Sequence, residues 1–291
     1  MSLRKPIEEC TVGIVGLGLM GGAIAMALRN EKIVWEQGRL LACDIDAETL
    51  DAALGEGVID EGFIAPETML ERCDVVFLCL NPSTLLRFMT RYMAAFRAGA
   101  LLTDIAGIKG SIAAAMEQSL RDDLDFIPGH PMAGSEKGGF ANAAHCNFHG
   151  KNYILTPLAR NKPENLSFLK ALIYRMGFSR ITETTGLDHD KKIAFTSELC
   201  HVIAAALIDC EPDTGITRFG GGSFEDLTRI AMLNVPMWTE IFLENRVELL
   251  ARISQFEGSL SKLKSLIASE QREELETNLC AVRERRAAMS G

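Results

Sequence analysis

The 291-residue chain has no apolar run of the roughly 18 residues that a membrane-spanning helix needs. Its first residues, 1–9, are polar and lack the apolar core of a secretory signal. Lysine and arginine total 30 against 39 aspartates and glutamates, so the formal net charge is −9. A balance of that sign argues against nucleic acid and against anionic membrane surfaces as partners.

The chain also lacks paired cysteines and an obvious metal-binding cluster. Its 8 cysteines are scattered without a C-x-x-C pair. Cys43, Cys73 and Cys79 lie in or beside apolar runs and are interpreted as small core residues. His145 and His149 have an i, i+4 spacing, but no third ligand is placed nearby, so we expect no metal. This usage of cysteine predicts a reducing, cytoplasmic compartment.

What the sequence does contain is a glycine-rich turn between a strand-like run and a helix-forming run, in TVGIVGLGLMGGAIAMAL. Gly16, Gly18 and Gly21 have the spacing G-x-G-x-x-G. Gly16 would allow a tight turn, Gly18 would let the backbone approach a pyrophosphate, and Gly21 would let the helix pack close to the strand. A helix-forming run, residues 23–28, follows the glycines, and the free N–H groups at a helix N-terminus favour phosphate. Leu19 and Met20, within the turn, are candidate cofactor-binding residues. The pattern predicts a dinucleotide-binding site.

Asp44 directly follows a second apolar run, residues 40–43. An acidic residue roughly 20 residues past such glycines bonds the ribose hydroxyls of a dinucleotide. A carboxylate there repels a 2′-phosphate, so NAD is favoured over NADP. The alternative is that Asp44 or Asp46 caps the next helix, because aspartate is a good N-cap. We interpret Asp44 as the ribose ligand and Asp46 as the cap.

Strand-like apolar runs recur along the first part of the chain, with helix-forming stretches between them. This alternation predicts an α/β fold, a Rossmann-type doubly wound sheet that is mostly parallel and has helices on both faces. Ligands of such sheets bind beyond the carboxyl ends of the strands, which makes Asn81 and Asp104 candidate cofactor-binding residues beside the glycine turn. The runs are residues 12–15, 40–43, 75–80, 101–103, 126–127, 153–155 and 181–182.

Beyond about residue 185 the strand signal vanishes, and residues 187–210 are predicted to form one long helix. We therefore divide the chain into a dinucleotide-binding domain, 1–185, and an all-α domain, 186–291. The second domain offers few elements for a core of its own, which predicts burial against a second subunit. A seam within one subunit is the alternative. The seam residues recur at steps of three and four: Ile253, Phe256, Leu260, Leu263 and Ile267.

His130 lies in the segment GHPMAGSE, which follows a short strand-like run. Loops at that edge of a sheet carry function more often than packing. A histidine there can accept the proton of an alcohol that is being oxidised, because its pKa lies near neutrality. The alternative is a histidine fixed by the hydrogen bonds of the turn itself.

Two further candidates lie in the helical part. His201 shares a helix face with Ser197 and Glu198, although its neighbours are apolar and a core role is the alternative. Arg229 lies in GGGSFEDLTRIA, where a glycine-rich loop opens a helix, and its planar guanidinium suits a carboxylate. Pairing of Arg229 with Glu225 or Asp226 is the alternative.

Taken together, GHPMAGSE, GGGSFEDLTRIA and the following Pro-Met-Trp resemble the prephenate dehydrogenase family in order and spacing, over nearly the whole chain. The resemblance implies a Rossmann-type domain followed by a helical dimerisation domain, with NAD as cofactor and a small-molecule substrate. His130 matches the catalytic histidine that contacts the ring hydroxyl of the substrate. Arg229 matches the arginine that holds a carboxylate, and His201 a histidine of the substrate pocket. Glu136 and Asp226 match acidic residues that close the pocket near the subunit boundary.

Two positions depart from the family pattern. Gly107 stands where many members have the serine of Asp-x-x-Ser-x-Lys, and Glu198 stands where many have the first histidine of Ser-His-Leu-Pro-His. A carboxylate at Glu198 would favour an ammonium-bearing substrate over a keto acid. Alternatively, Glu198 pairs with His201 and holds it as imidazolium. Both substitutions fall at expected substrate-binding positions.

The reaction that the resemblance implies is NAD-dependent oxidative decarboxylation of prephenate to 4-hydroxyphenylpyruvate, a step in tyrosine biosynthesis. The close alternative is the same reaction on arogenate, the aminated substrate. A β-hydroxyacid dehydrogenase shares the opening loop but needs a lysine followed by an asparagine on the long helix, whereas no asparagine follows Lys191 and Lys192. A non-catalytic NAD-sensing protein is the remaining alternative.

Overall fold

The structure is a computed structural model that describes residues 5–31, 33, 38–134 and 137–289. Its first part is built on a six-stranded, parallel sheet with the order β3-β2-β1-β4-β5-β6. The order in which strands are added to the sheet reverses between β1 and β4, and this point creates the crevice where ligands of doubly wound sheets bind. The strands are β1 Thr11–Val15, β2 Arg39–Cys43, β3 Glu61–Phe63, β4 Val75–Leu78, β5 Leu101–Asp104 and β6 Asp125–Ile127.

Both faces of this sheet are covered, which explains why its central strands are continuous apolar runs. In β4, Val75 and Phe77 pack into one apolar cluster, and Val76 and Leu78 pack into another on the opposite face. The helices of this part are α1 Leu19–Asn30, α2 Ala47–Gly55, α3 Glu67–Leu70, α4 Pro82–Tyr92, α5 Gly110–Ser119 and α6 Pro163–Arg175. The Rossmann-type fold that the sequence predicted is therefore confirmed.

A second, three-stranded sheet follows the main one along the chain. It consists of β7 Gly129–Pro131, β8 Asn152–Leu155 and β9 Arg180–Glu183, with β7 antiparallel to β8. His130 therefore lies on a strand and not in the predicted loop, with its Cα opposite that of Ile154. The two last predicted strand runs belong to this sheet, and β3 and β7 were not predicted at all. The run predicted as 75–80 ends at Leu78, so that Cys79 and Leu80 follow the strand.

After β9 the described chain is helical. Thr185 caps α7 by accepting a hydrogen bond from the Asp188 N–H at 3.2 Å. The long helix predicted at 187–210 is present as α7 Gly186–Ile193, a π-helical turn Ala194–Glu198, and α8 Leu199–Asp209. The remaining helices are α9 Gly222–Thr228, α10 Val235–Glu244, α11 Arg246–Ala268 and α12 Arg272–Ala288.

The predicted seam lies on α11, and much of it faces solvent in the single chain. Leu260 is 54% exposed and Ile267 is 63% exposed. Within the described residues, α11 buries only Leu249 and α12 buries none. Among the helices that the structure describes, none is both long and apolar enough to cross a membrane.

Candidate active site

A cavity of about 610 Å³ lies between the carboxyl edge of the main sheet and helices α8 and α10. It is lined from both parts of the chain, by the glycine turn on one side and by the helical part on the other. The residues expected at the site that line it are Gly18, Leu19, Met20, Gly21, Asn81, Gly107, His130, Glu198, His201 and Arg229. Gly16, Asp44, Asp104 and Asp226 do not line it, and Glu136 lies outside the described residues.

The glycine turn has the geometry of a phosphate cradle. Gly16 has a φ of 91°, which favours glycine, and a Cβ on Gly21 would lie 1.9 Å from the Gly16 carbonyl oxygen. A Cβ built on Gly18 would meet nothing within 4 Å, so the space above it is open. The α1 N-terminus has no side-chain cap and no acidic residue in its first turn. Its N–H groups and partial positive charge are therefore available to a diphosphate.

Asp44 and Asp46 separate as the sequence suggested. The Asp46 carboxylate accepts the Glu48 N–H at 3.1 Å and the Thr49 hydroxyl at 2.6 Å, which confirms it as the cap of α2. The Asp44 carboxylate instead accepts the Leu17 N–H at 2.6 Å with one oxygen and the Asp46 N–H at 3.0 Å with the other. Asp44 is thus fixed against the glycine turn, with lone pairs left on both oxygens for ribose hydroxyls.

His130 is the first member of a hydrogen-bonded chain that ends on a carboxylate. His130 Nδ1 lies 2.9 Å from His189 Nε2, and His189 Nδ1 lies 2.7 Å from Asp190 Oδ1. The Asp190 carboxylate also accepts the N–H groups of Lys109 at 2.8 Å and Gly110 at 2.7 Å, which fix its position at the start of α5. Because a carboxylate only accepts, His189 donates from Nδ1, and His130 must then donate from Nδ1 to His189. The Nε2 atom of His130 is left unprotonated.

The surroundings keep both rings neutral. Burial, followed by the nearby His189 and Lys109, lowers the pKa of His130 well below its ordinary value. Burial also lowers the pKa of His189, although the hydrogen bond to Asp190 opposes that shift. A neutral His130 on the cavity wall, oriented through Nδ1, has the protonation state that a general base requires.

Asp104 lies at the carboxyl end of β5, as expected, but it does not line the cavity. Its side chain is fully buried and pairs with the equally buried Lys109 ammonium. It also accepts the Ala106 N–H at 2.9 Å and the Gly129 N–H at 3.1 Å. Burial lowers the pKa of Lys109 despite the opposing charge of Asp104. Within the chain, Asp104 ties the end of β5 to β7 beside His130, and its contact with the cofactor stays a prediction.

On the helical side, His201 packs against Trp238 with ring centroids 3.7 Å apart. Its Nδ1 lies 2.9 Å from the Ser197 carbonyl oxygen, to which it donates. Burial lowers the pKa of His201, and the charge of Arg229 acts in the same direction. The alternative that Glu198 holds His201 as imidazolium is therefore wrong.

At both positions that depart from the family pattern, a residue of the helical part packs against the substituted residue: Asn245 against Glu198, and Ile241 against Gly107. Glu198 is fully buried and accepts from Asn245 Nδ2 at 2.9 and 3.1 Å. At Gly107, a Cβ would lie 3.3 Å from Ile241 Cδ1, so this methyl group occupies the space next to the glycine. Asp226 is exposed on α9, and its role at a subunit boundary stays a prediction.

Sequence reasoning missed several residues of the site. His189 and Asp190 form the chain behind His130, Asn245 holds Glu198, and Lys151 lines the cavity. In the sequence, His189 and Asp190 are visible only as two adjacent polar residues of a predicted helix. The structure shows that both are buried. Lys151 and Asn245 carry no such local signal, because their place follows from how β8 and α11 pack.

Two family models match the chain over most of its length. The one described as "Prephenate dehydrogenase, nucleotide-binding domain" matches residues 24–182, and the one described as "Prephenate dehydrogenase, dimerization domain" matches residues 185–280. The prephenate dehydrogenase of Bacillus subtilis (strain 168) is 30% identical over 273 residues, which cover 91% of this chain and 72% of that protein.

Solved structures agree with this similarity. A crystal structure of prephenate dehydrogenase from A. aeolicus in complex with hydroxyphenyl propionate and NAD+ has 31% sequence identity and a TM-score of 0.86, covering 98% of this chain and 100% of that one. A crystal structure of Synechocystis arogenate dehydrogenase has 27% identity and a TM-score of 0.78, covering 96% and 99%. The similarity thus extends over both the α/β part and the helical part.

Proposed function

Because this chain belongs to the prephenate dehydrogenase family, we propose that it oxidises prephenate with NAD and releases carbon dioxide, giving 4-hydroxyphenylpyruvate. The observation that carries the proposal is the chain His130–His189–Asp190 on the wall of a cavity that opens onto the glycine turn. The direct test is NADH formation with prephenate and with arogenate, each with NAD and with NADP. Absence of turnover with both substrates would reject the function.

The residues of the crevice fit NAD. The open space above Gly18 and the uncapped start of α1 suit the diphosphate, and Asp44 suits the ribose hydroxyls. When bound, NAD would accept a hydride from the ring carbon that bears the hydroxyl.

His130 takes the hydroxyl proton on Nε2 as that carbon is oxidised. Its ring becomes positively charged in the process, and its Nδ1–H remains donated to His189. The Asp190 carboxylate, held by two backbone N–H groups, stabilises the positive charge through His189. The buried ion pair of Lys109 with Asp104 holds the positions of His130 and Asp190, because the Lys109 N–H donates to Asp190 and Asp104 accepts from the Gly129 N–H.

Arg229 binds a carboxylate of the substrate in this proposal. It lines the cavity with Lys151, and prephenate carries two carboxylates that need cationic partners. His201, fixed by Ser197 and Trp238, presents its other ring nitrogen to the same cavity. Oxidation of arogenate is the second candidate, and the observation that favours it is the acidic Glu198 in the wall.

NAD should be preferred over NADP, because the Asp44 carboxylate repels a 2′-phosphate. Asp44→Ser should lower the ratio of kcat/KM for NAD to that for NADP by about tenfold or more, since charge repulsion at this range is on the order of 1–4 kcal/mol. Asp46→Ser is the matched control: serine is also a good N-cap, so the stability of α2 should change little and the ratio should not change. Equal ratios in wild type and Asp44→Ser would remove Asp44 from cofactor selection.

We also propose a homodimer formed through the helical part. Supporting it are the exposed seam on α11 and the scarcity of buried residues in α11 and α12 within the described chain. Light scattering should give twice the chain mass of 31.8 kDa. Leu260→Glu should shift the protein to monomers. Leu54→Glu makes the same substitution at an exposed leucine of α2, outside the seam, and should leave the dimer intact. A monomeric wild type at micromolar concentration contradicts the dimer.

The cytoplasm is the compartment we propose. Its support is that all 8 cysteines, each within the described residues, are free thiols.

A further inference from the structure

Glu198 is the only acidic residue among the described residues that line the cavity, which also holds the cationic side chains of Arg229 and Lys151. It lies at the end of the π-helical turn, where α8 begins. The side chain has no solvent-accessible surface. A buried carboxylate on the wall of a cavity for anions affects directly which ligand charges the cavity accepts.

The partner of Glu198 is neutral. Asn245 Nδ2 donates to its two oxygens at 2.9 and 3.1 Å and to the Asp190 carbonyl oxygen at 3.0 Å. Within the described part of the chain, Glu198 forms no ion pair with a lysine or arginine. An amide can hydrogen-bond a carboxyl group in either protonation state, so Asn245 fixes the position of Glu198 without fixing its charge.

The elements packed around Glu198 supply little compensating charge. Asp190 comes from α7, and its negative charge acts on Glu198. On its own helix, His201 donates instead to Ser197. From α11, Arg252 is directed to the Lys191 carbonyl oxygen and the Phe195 ring. The cavity-lining residues of α10 near this wall are the apolar Trp238 and Ile241.

Burial, with the charge of Asp190 adding to it, raises the pKa of Glu198 to about 7, against the opposing hydrogen bond from Asn245. The group is therefore neutral below about pH 7 and ionised above it. Both forms are accessible at the pH values where a dehydrogenase works.

We propose that Glu198 selects the substrate by the charge of its side chain: in the neutral form it admits the keto acid of prephenate, and in the ionised form it favours the ammonium group of arogenate. The inference rests on the proposed function and assigns this one residue the choice between the two substrates. The amide of Asn245 keeps the carboxyl group aimed at the same place in both states.

Proton linkage gives the proposal a quantitative signature. A ligand that binds only the neutral form takes up a proton when it binds above pH 7, and its apparent affinity falls by up to tenfold per pH unit there. For an ammonium-bearing ligand the trend is reversed, because the ionised form is the binding-competent one. The ratio of kcat/KM for arogenate over prephenate should therefore rise as pH increases from 6 to 9.

The test compares wild type with Glu198→Gln and with Glu244→Gln, a control on the exposed end of α10. In wild type and in the control the ratio should rise at least tenfold over that pH range. In Glu198→Gln the ratio should be independent of pH, and at pH 8 its kcat/KM for prephenate should exceed that of wild type about tenfold. A pH dependence of the ratio that is the same in wild type and Glu198→Gln overturns the proposal.

A binding measurement on wild type keeps the test independent of the variant. The product 4-hydroxyphenylpyruvate retains the side-chain carboxylate, and its binding at pH 8 in weak buffer should take up close to one proton, read with a pH indicator. No proton uptake at pH 8 contradicts the proposal. If neither substrate is turned over at any pH, the proposed function fails, whereas turnover with unlinked binding rejects only the role of Glu198.

Discussion

Replacing His130 with asparagine should lower kcat by about 10²- to 10⁴-fold, the range that a positioned general base contributes. The NAD dissociation constant should not change, because the cofactor residues lie on the glycine turn and at Asp44. Asparagine can still donate to His189, so the surrounding chain of hydrogen bonds is retained. The measurements are kcat with prephenate and the dissociation constant of NAD.

The control for this substitution is His145→Asn, an exposed histidine that does not line the cavity. It should leave kcat and NAD binding as in wild type. Turnover like that of wild type in His130→Asn would remove His130 from the mechanism. Loss of NAD binding in that variant would mean that the substitution disturbs the crevice and not the proton transfer.

The low pKa of His130 also fixes the acid side of the pH profile. The base is active when deprotonated, so kcat falls as pH drops through the pKa of His130 in the complex. Since burial and the nearby His189 and Lys109 lower that pKa well below 6.5, the fall should occur in more acidic solution than for an ordinary histidine. This limb is separate from the effect of Glu198, which lies near pH 7 and acts on substrate choice.

Arg229→Ala should raise KM for prephenate by about 10- to 100-fold, because a hydrogen bond between charged groups contributes on the order of 1.5–3 kcal/mol. Binding of NAD should be unaffected, since Arg229 belongs to the helical side of the cavity. Steady-state kinetics with saturating NAD give the KM, and equilibrium binding gives the NAD affinity.

Arg229→Lys is the conservative companion. It keeps the charge but loses the planar fork, so its KM should lie between those of wild type and Arg229→Ala. If the substitutions weaken NAD binding and leave the substrate KM unchanged, Arg229 serves the cofactor and the assignment to the substrate carboxylate is incorrect.

The main sheet could be predicted from the sequence because its central strands are buried on both faces. The run that contains β4 is apolar at every position, and its residues feed two clusters on opposite sides of the sheet. Strands β3 and β7 could not be predicted in the same way. Glu61–Phe63 has Glu and Gly at its first positions, and Gly129–Pro131 consists of Gly, His and Pro. Such residues form strands only because neighbouring strands pair with them.

The parts of the site that depend on local geometry were also predictable. The glycine turn and the cap at Asp46 are determined within a few residues of chain, so their patterns are visible in the sequence. The chain behind His130 is different, because His189 lies 59 positions away in the sequence. Likewise, Asn245 reaches Glu198 across 47 positions. The first contact follows from how α7 packs against the second sheet, and the second from how the helices of the helical part pack on one another. Neither leaves a periodic pattern in the sequence.

The π-helical turn at Ala194–Glu198 has a consequence for the angular register of the two histidines on the long helix. His189 and His201 are twelve positions apart, which in an uninterrupted α-helix would place them about 120° apart around the axis. The wide turn absorbs about one extra residue, and the angle between them falls to about 20°. His189 then lies buried behind His130, while His201 lines the cavity on the same side of the helix. The single wide turn thus places two separate functions on one side of the long helix.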